Sequence, residues 1–205
     1  MPTTGDEERK AAIAALSVSQ YSGEVVKGLD VSGVDFTYCS LAEIKVEELV
    51  ASSAKFVGVE FTGAFAQDSE FKRADFSHAA LHEAAFFECN FTGANFSDAD
   101  LSGGKIMVCD CSDACFDRVV WIEGDATGSD FRGASLRGAR IERSEVSESF
   151  FSDADLTDAS FAGSDLRKCD FKGAILKNTD FTGAKLTGAK FDKKPLNGAK
   201  FDKKR

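Results

Sequence analysis

Several residue types are scarce in this chain of 205 residues: two Pro, one Trp, two Tyr, two Met and two His. No apolar run approaches the roughly 20 residues that a membrane-spanning helix needs, so no membrane partner is expected. The opening stretch MPTTGDEERK is acidic and has no apolar core, which excludes a secretory signal and an Arg-rich transit peptide in that stretch. Together with free cysteines, this points to the cytoplasm or another reducing compartment. Basic residues are also in deficit, 25 Lys and Arg against 34 Asp and Glu. A net charge of −9 argues against general, direct nucleic-acid binding, which favours a basic surface. The charge is uneven, because residues 171–205 hold ten Lys and Arg against three Asp. That leaves a local anionic contact open at the basic end.

What the chain does have is phenylalanine, 19 of them, within a composition that is 43% hydrophobic and 29% charged. Such a composition is globular rather than disordered. Phe at this density without matching Tyr or Trp suggests one core position used over and over. The position appears in GANFSDADLSGG, residues 93–104, where Ala94-Asn95-Phe96 is followed five residues later by Ala99-Asp100-Leu101. A helix repeats near 3.6 residues and a strand near 2, so neither explains a period of five. Large or apolar centres continue by fives from Tyr21 to Phe201 without a slip, and a small residue usually stands two before each centre.

These features identify the chain as similar to the pentapeptide-repeat family, with the A(D/N)Lxx pattern carried by Ala94-Asn95-Phe96, Ala99-Asp100-Leu101 and Ala154-Asp155-Leu156. The resemblance implies an all-β solenoid, a right-handed quadrilateral β-helix in which four pentads make one coil. Centre and small residue would point inward and the other three outward. A period-five unit cannot bury its own apolar residue and must stack on copies of itself. Nine coils at the inter-strand spacing give a rod of about 43 Å. Residues 20 apart then stack, which predicts a column Phe36, Phe56, Phe76, Phe96, Phe116 and another with Phe71, Phe91, Cys111, Phe131, Phe151, Phe171 and Phe191. Both are core, with no cofactor implied.

Residues 1–20 are expected to form a capping helix and residues 21–205 the β-helix. Thr4-x-x-Glu7 is a capping-box pattern, and Ile13 and Leu16 share a face. Residues 42–54 fit either a helix or the inward positions of a coil. Residues 103–128 are the least regular stretch, with Trp121 at a centre beside Gly124 and Ala126. Lys194 and Pro195 break the pattern and predict a frayed last coil. The C-terminus lacks the apolar helix through which some family members dimerise, so a monomer or weak homodimer is expected.

Cys109-x-Cys111 resembles half a metal site, but zinc needs four ligands, and both residues fall at inward positions. They are expected to be small buried thiols, with Cys89 stacked below Cys109, and no metal. Cys115 points outward as a candidate reactive thiol. His78 and His82 lie near one corner with no nucleophile beside them. Without a nucleophile–base pair, a phosphate loop or an insertion to build a pocket, no enzyme activity and no cofactor are expected.

The outward positions carry two candidate surfaces. Phe65, Phe87, Met107 and Val108 project from one face, with Val120 and Ile122 at or near its edge. A clustered apolar patch marks an interaction site. Glu70, Asp110, Asp130 and Asp170 line another face beside Asp113 and Asp153, together with Lys72, Arg73, Arg132 and Lys172. The resemblance brings a second function with it, since some pentapeptide-repeat proteins protect DNA gyrase as acidic mimics of B-form DNA. The mixed charge here departs from that pattern. The reading favoured by the sequence is a non-catalytic rod or scaffold that binds a protein partner. The alternatives are topoisomerase inhibition or protection by DNA mimicry, and a structural subunit of a larger assembly.

Overall fold

The computed structural model describes residues 4–193 and 198–202. The fold is a four-sided β-helix in which each residue stands beside the residue 20 later. Its elements are α1 (Thr4–Ser22), β1 (Val26–Lys27), β2 (Lys45–Glu47), β3 (Phe65–Gln67), β4 (Ala85–Phe87) and β5 (Lys105–Met107). The five strands form one parallel sheet in sequence order, paired as Val26 with Val46, Ala66 with Phe86 and Phe86 with Ile106. The other sides are held by isolated parallel bridges of the same spacing, such as Asp75 with Asn95 and Asn95 with Cys115.

The pentad follows from an accounting of its five backbone N–H groups, since buried ones must be paired. Counting from a centre such as Phe76, its own N–H donates to Asn95 O at 2.7 Å, and that of His78 to Ser97 O at 3.0 Å. The N–H of Asp75 donates to Ala54 O in the coil before, and that of Ala79 closes a turn onto Phe76 O at 3.1 Å. The second residue after the centre is left-handed, as at His78 with φ 59°. A bond from the fourth residue to the first across such a position is a type II turn. Only the N–H of Ser77 remains, and it donates to the Asp75 side chain at 3.0 Å. The same contact recurs at Asn95, Asp100, Asp110 and Asp155. The Asp or Asn of the repeat therefore satisfies the one donor that neither ladder nor turn reaches.

Inside, the centres stack. Phe56 and Phe76 lie 4.7 Å apart and Phe76 and Phe96 4.9 Å, with rings nearly parallel. Phe131, Phe151 and Phe171 form a second ladder at 5.0 and 5.2 Å. Neighbouring ladders meet edge to face, as Phe91 and Phe96 do at 5.1 Å. Residues 42–54 take the coil alternative, with Ile44, Val46, Leu49, Ala51 and Ala54 all buried.

Helix α1 covers the first coil with Ala12, Leu16 and Ser19 buried. Lys45 N–H donates to Ser19 Oγ at 2.6 Å, and Ser19 Oγ donates to Lys45 O at 3.1 Å. On later coils the equivalent N–H goes to a backbone carbonyl, as Phe65 N does to Ile44 O. The Ser19 hydroxyl thus replaces a coil that is not there. Arg9 Nη2 adds a bond to Thr37 O at 3.1 Å. The helix continues through Tyr21, which the period of five placed as the first inward centre. On α1 that side chain is 87% exposed, because the helical rise carries it off the coil before the repeat begins. The expected fraying at Lys194 and Pro195, and the Thr4 side chain of the capping box, lie outside the described residues.

Candidate functional site

The sheet β1–β5 is flat for a reason found in its inward small positions. At Ala66, Phe86 and Ile106 no turn bond closes. The carbonyls instead accept from Cys89 Sγ, Cys109 Sγ and Ser129 Oγ at 3.5, 3.5 and 2.8 Å. The N–H groups released from the turn donate onward, Cys89 N to Cys109 Sγ and Cys109 N to Ser129 Oγ at 3.1 Å. A column of buried Ser and Cys side chains therefore does the turn's work and leaves an extended side. The sulfurs of Cys89 and Cys109 bond backbone groups. All six are free, and among the described residues no cluster of three or more His, Cys, Asp or Glu is arranged to hold a metal ion.

On the outside of this flat side lie Phe65, Phe87 and Met107, each half-buried. The rings of Phe65 and Phe87 are 5.7 Å apart, and Phe87 pairs in register with Met107. Ala85 sits between Phe65 and Lys105. Val108 follows Met107 at the corner, 61% exposed and left-handed with φ 56°. A β-branched residue is a rare occupant of that conformation. The structure thus brings four of the six candidate apolar residues together. Val120 and Ile122 flank Trp121 on the adjoining side, where Val120 bridges Asp100 and Arg140 rather than the sheet.

Trp121 marks where a second side of the rod begins to lose its turn bonds. From this coil on, Trp121 and Ile141 lack the turn bond. The N–H groups of Gly124 and Ser144 go to Ser144 Oγ and Ser164 Oγ at 3.1 and 3.0 Å. The indole is buried and its Nε1 donates to Gly104 O at 3.0 Å. After the irregular stretch 103–128 a second side thus loses turn bonds, while the Ser and Cys column continues on the first, with Ser149 Oγ on Ala126 O and Cys169 Sγ on Val146 O at 2.7 and 3.0 Å.

The second candidate surface is also collected by the fold. Glu70, Asn90, Asp110, Asp130, Phe150, Asp170 and Lys190 succeed one another along one bridge column. Its charge is largely compensated. Lys72 Nζ lies 2.9 Å from Glu70, Arg132 Nε donates to Asp130 at 2.8 Å, and Lys190 Nζ lies 3.6 Å from Asp170. Asp113 and Asp153 are exposed on the adjacent corner, and Phe150 interrupts the column with 47% exposure.

Cys115 is only half-buried, and burial pushes its thiol up, the opposite of an activated nucleophile. Cys169 is pushed up to about 12 by burial. His82 Nε2 lies 3.0 Å from Asp100 Oδ2, on an exposed surface. Sequence reasoning missed Asp165, an outward position by the repeat, whose side chain is 1% exposed between Arg167 and Lys185 at 2.7 and 3.2 Å. The Arg167 guanidinium holds its carboxyl down at about 2.

The family model for pentapeptide repeats, in eight copies, matches residues 54–93, 69–106, 109–145, 143–173, 154–192 and 168–202. No curated protein matches the chain in sequence. Among solved structures, HetL, a pentapeptide-repeat protein involved in heterocyst differentiation regulation from the cyanobacterium Nostoc sp. strain PCC 7120, is similar. It is 23% identical with a TM-score of 0.59, covering 89% of this chain and 92% of its own. Trypsin-treated QnrB1, a plasmid-mediated fluoroquinolone resistance protein, has a TM-score of 0.65 at 23% identity, covering 83% of this chain and 84% of that one. At these identities the likeness concerns the fold. Among the described residues no helix is long and apolar enough to cross a membrane.

Proposed function

The chain belongs to the pentapeptide-repeat family, and we propose that it works as a non-catalytic, rod-shaped module that binds a protein partner. The observation that carries this reading is the Phe65–Phe87 ring contact on the five-stranded sheet, extended by Met107 and ended by the exposed Val108. Apolar groups gathered on one face favour association, and a rigid solenoid presents them without an ordering cost at the moment of binding. The double substitution Phe87→Asp, Met107→Asp tests it by affinity purification from the native source. Partners lost while the melting temperature holds support the reading; partners retained sink it.

Topoisomerase protection by DNA mimicry is the second reading, supported by the Glu70–Asp110–Asp130–Asp170 column. A duplex carries one charge per about 1.7 Å of axis, whereas Lys72, Arg132 and Lys190 offset most of this column. A gyrase supercoiling assay decides: no effect at micromolar protein removes the mimic.

A further inference from the structure

The flat apolar strip has an electrostatic frame. The corner column after it holds Glu48, Asp68 and Glu88, and the corner before it holds Glu43 and Glu83. All five are exposed. Among the described residues none of them has an ion-pair partner within 4 Å, the only side-chain hydrogen bond to any of them is Gln67 Nε2 donating to Asp68 at 3.2 Å, and Glu48 also feels the Lys27 cation. Other carboxylates of the rod, such as Glu47, Glu70, Glu142 and Glu148, are paired with Lys or Arg. Unpaired carboxylates also stand elsewhere, as at Asp113 and Asp153, but here they flank Phe65, Phe87 and Met107 on both sides. Three lysines share the face: Lys45 beside Phe65 and Lys105 beside Ala85 in one column, and Lys27, paired with Glu47, in the column of Phe87. Neighbouring carboxylates one coil apart lie well within a Debye length, so their fields add.

Resting on the interaction reading above, we propose that the strip receives a short cationic amphipathic helix lying along the rod axis. The apolar strip crosses β3, β4 and β5, two coil steps of about 4.8 Å. Residues one turn apart on a helix are separated by about 5.4 Å, so apolar side chains at i, i+4 and i+7 meet Phe65, Phe87 and Met107 in succession. Same-side residues of a strand are about 6.7 Å apart and fall out of step. Lys or Arg on the two edges of such a helix faces Glu43 and Glu83 on one side and Glu48, Asp68 and Glu88 on the other. An anionic or neutral helix leaves these five carboxylates unanswered.

The probe is a fluorescein-labelled 18-residue peptide of Leu and Lys, with Leu at i, i+4 and i+7 spacing, read by fluorescence anisotropy on the full chain. A scrambled peptide of the same composition and a Leu/Glu analogue are the controls. Saturable binding of the first peptide, at least tenfold tighter than either control, is expected. Neutralising the frame (Glu43→Gln, Glu48→Gln, Asp68→Asn, Glu83→Gln, Glu88→Gln) is expected to weaken binding at least tenfold. Neutralising Asp110, Asp130 and Asp170 to Asn is expected to change it less than twofold. Equal binding by the frame variant, or equal binding of the scrambled peptide, overturns the cationic-helix proposal and leaves the patch reading standing. Unchanged binding by the Phe87→Asp, Met107→Asp variant overturns both, because the strip is then not the site.

Discussion

The indole of Trp121 occupies the space of a side chain that Gly124 does not have: a Cβ on Gly124 falls 1.9 Å from Trp121 Nε1 and 2.8 Å from Gly104 O. Gly124 is thus fixed by sterics, in the coil where a second side of the rod loses its turn bond. Gly124→Ala is expected to destabilise by about 1–3 kcal/mol through overpacking, seen as a lower midpoint in urea unfolding. Adding Trp121→Leu to Gly124→Ala is expected to recover part of the loss by making room. If the double variant is no more stable than Gly124→Ala alone, the ring is not what excludes the methyl.

Val108 is left-handed and exposed, two disadvantages on one residue. The left-handed region costs a non-glycine residue roughly 1–2 kcal/mol. Val108→Gly removes that cost while loosening the unfolded chain, so a gain of about 0.5–1 kcal/mol is expected. Val108→Asn, which tolerates the conformation and stiffens the unfolded state less than Val, is expected to gain a similar amount. Thermal unfolding of the three proteins checks the order. A loss on both substitutions means that the valyl side chain packs against the Met107 strip and supports the fold there.

The repeat made the architecture readable from residues such as Phe96 and Leu101, whose apolar centres recur whatever lies between them. The apolar strip was readable too, because Phe87 and Met107 depart from a polar position that is 20 residues periodic. Three features were not. The inward small position looks alike whether it is Ala94, which closes a turn, or Cys109, whose sulfur replaces one, yet that choice decides which side is flat. Asp165 holds the same repeat position as Asp155, and what encloses it is Arg167 two residues on together with Lys185 from the next coil. Tyr21 keeps the period by coincidence, since a helix can place any residue at a multiple of five.

Asp165 makes stability depend on acid. Its carboxyl is depressed to about 2 from an ordinary value of 3.8, chiefly by Arg167. A depressed carboxylate stabilises the fold fully above its unfolded value and loses that contribution as pH falls through the folded one. At neutral pH the contribution is about 2 kcal/mol, since each tenfold drop in proton affinity on folding corresponds to about 1.36 kcal/mol. The stability difference between wild type and Asp165→Asn is therefore expected to be constant from pH 7 to about 5. It then shrinks steadily between about 4 and 2. Urea midpoints at several pH values measure it. A difference that is flat down to pH 2 rules out the ion-paired carboxylate as its source.

Ser129 tests the idea that side chains replace turn bonds on the flat side. Its Oγ donates to Ile106 O at 2.8 Å and accepts from Cys109 N at 3.1 Å, both buried. Ser129→Ala strands two backbone groups, and each unsatisfied buried group costs about 1–3 kcal/mol. Ser129→Cys keeps a donor and an acceptor in a column that already holds Cys89 and Cys109, so it is expected to cost less than half as much. The volume change alone predicts the reverse order, because Ala is the smaller intrusion and Cys the larger. Amide exchange adds a local readout: in Ser129→Ala the Cys109 N–H is expected to exchange faster than its neighbours, and in Ser129→Cys to stay protected. If Ala is tolerated as well as Cys and the Cys109 amide remains protected, the flat side is held by its sheet bonds alone.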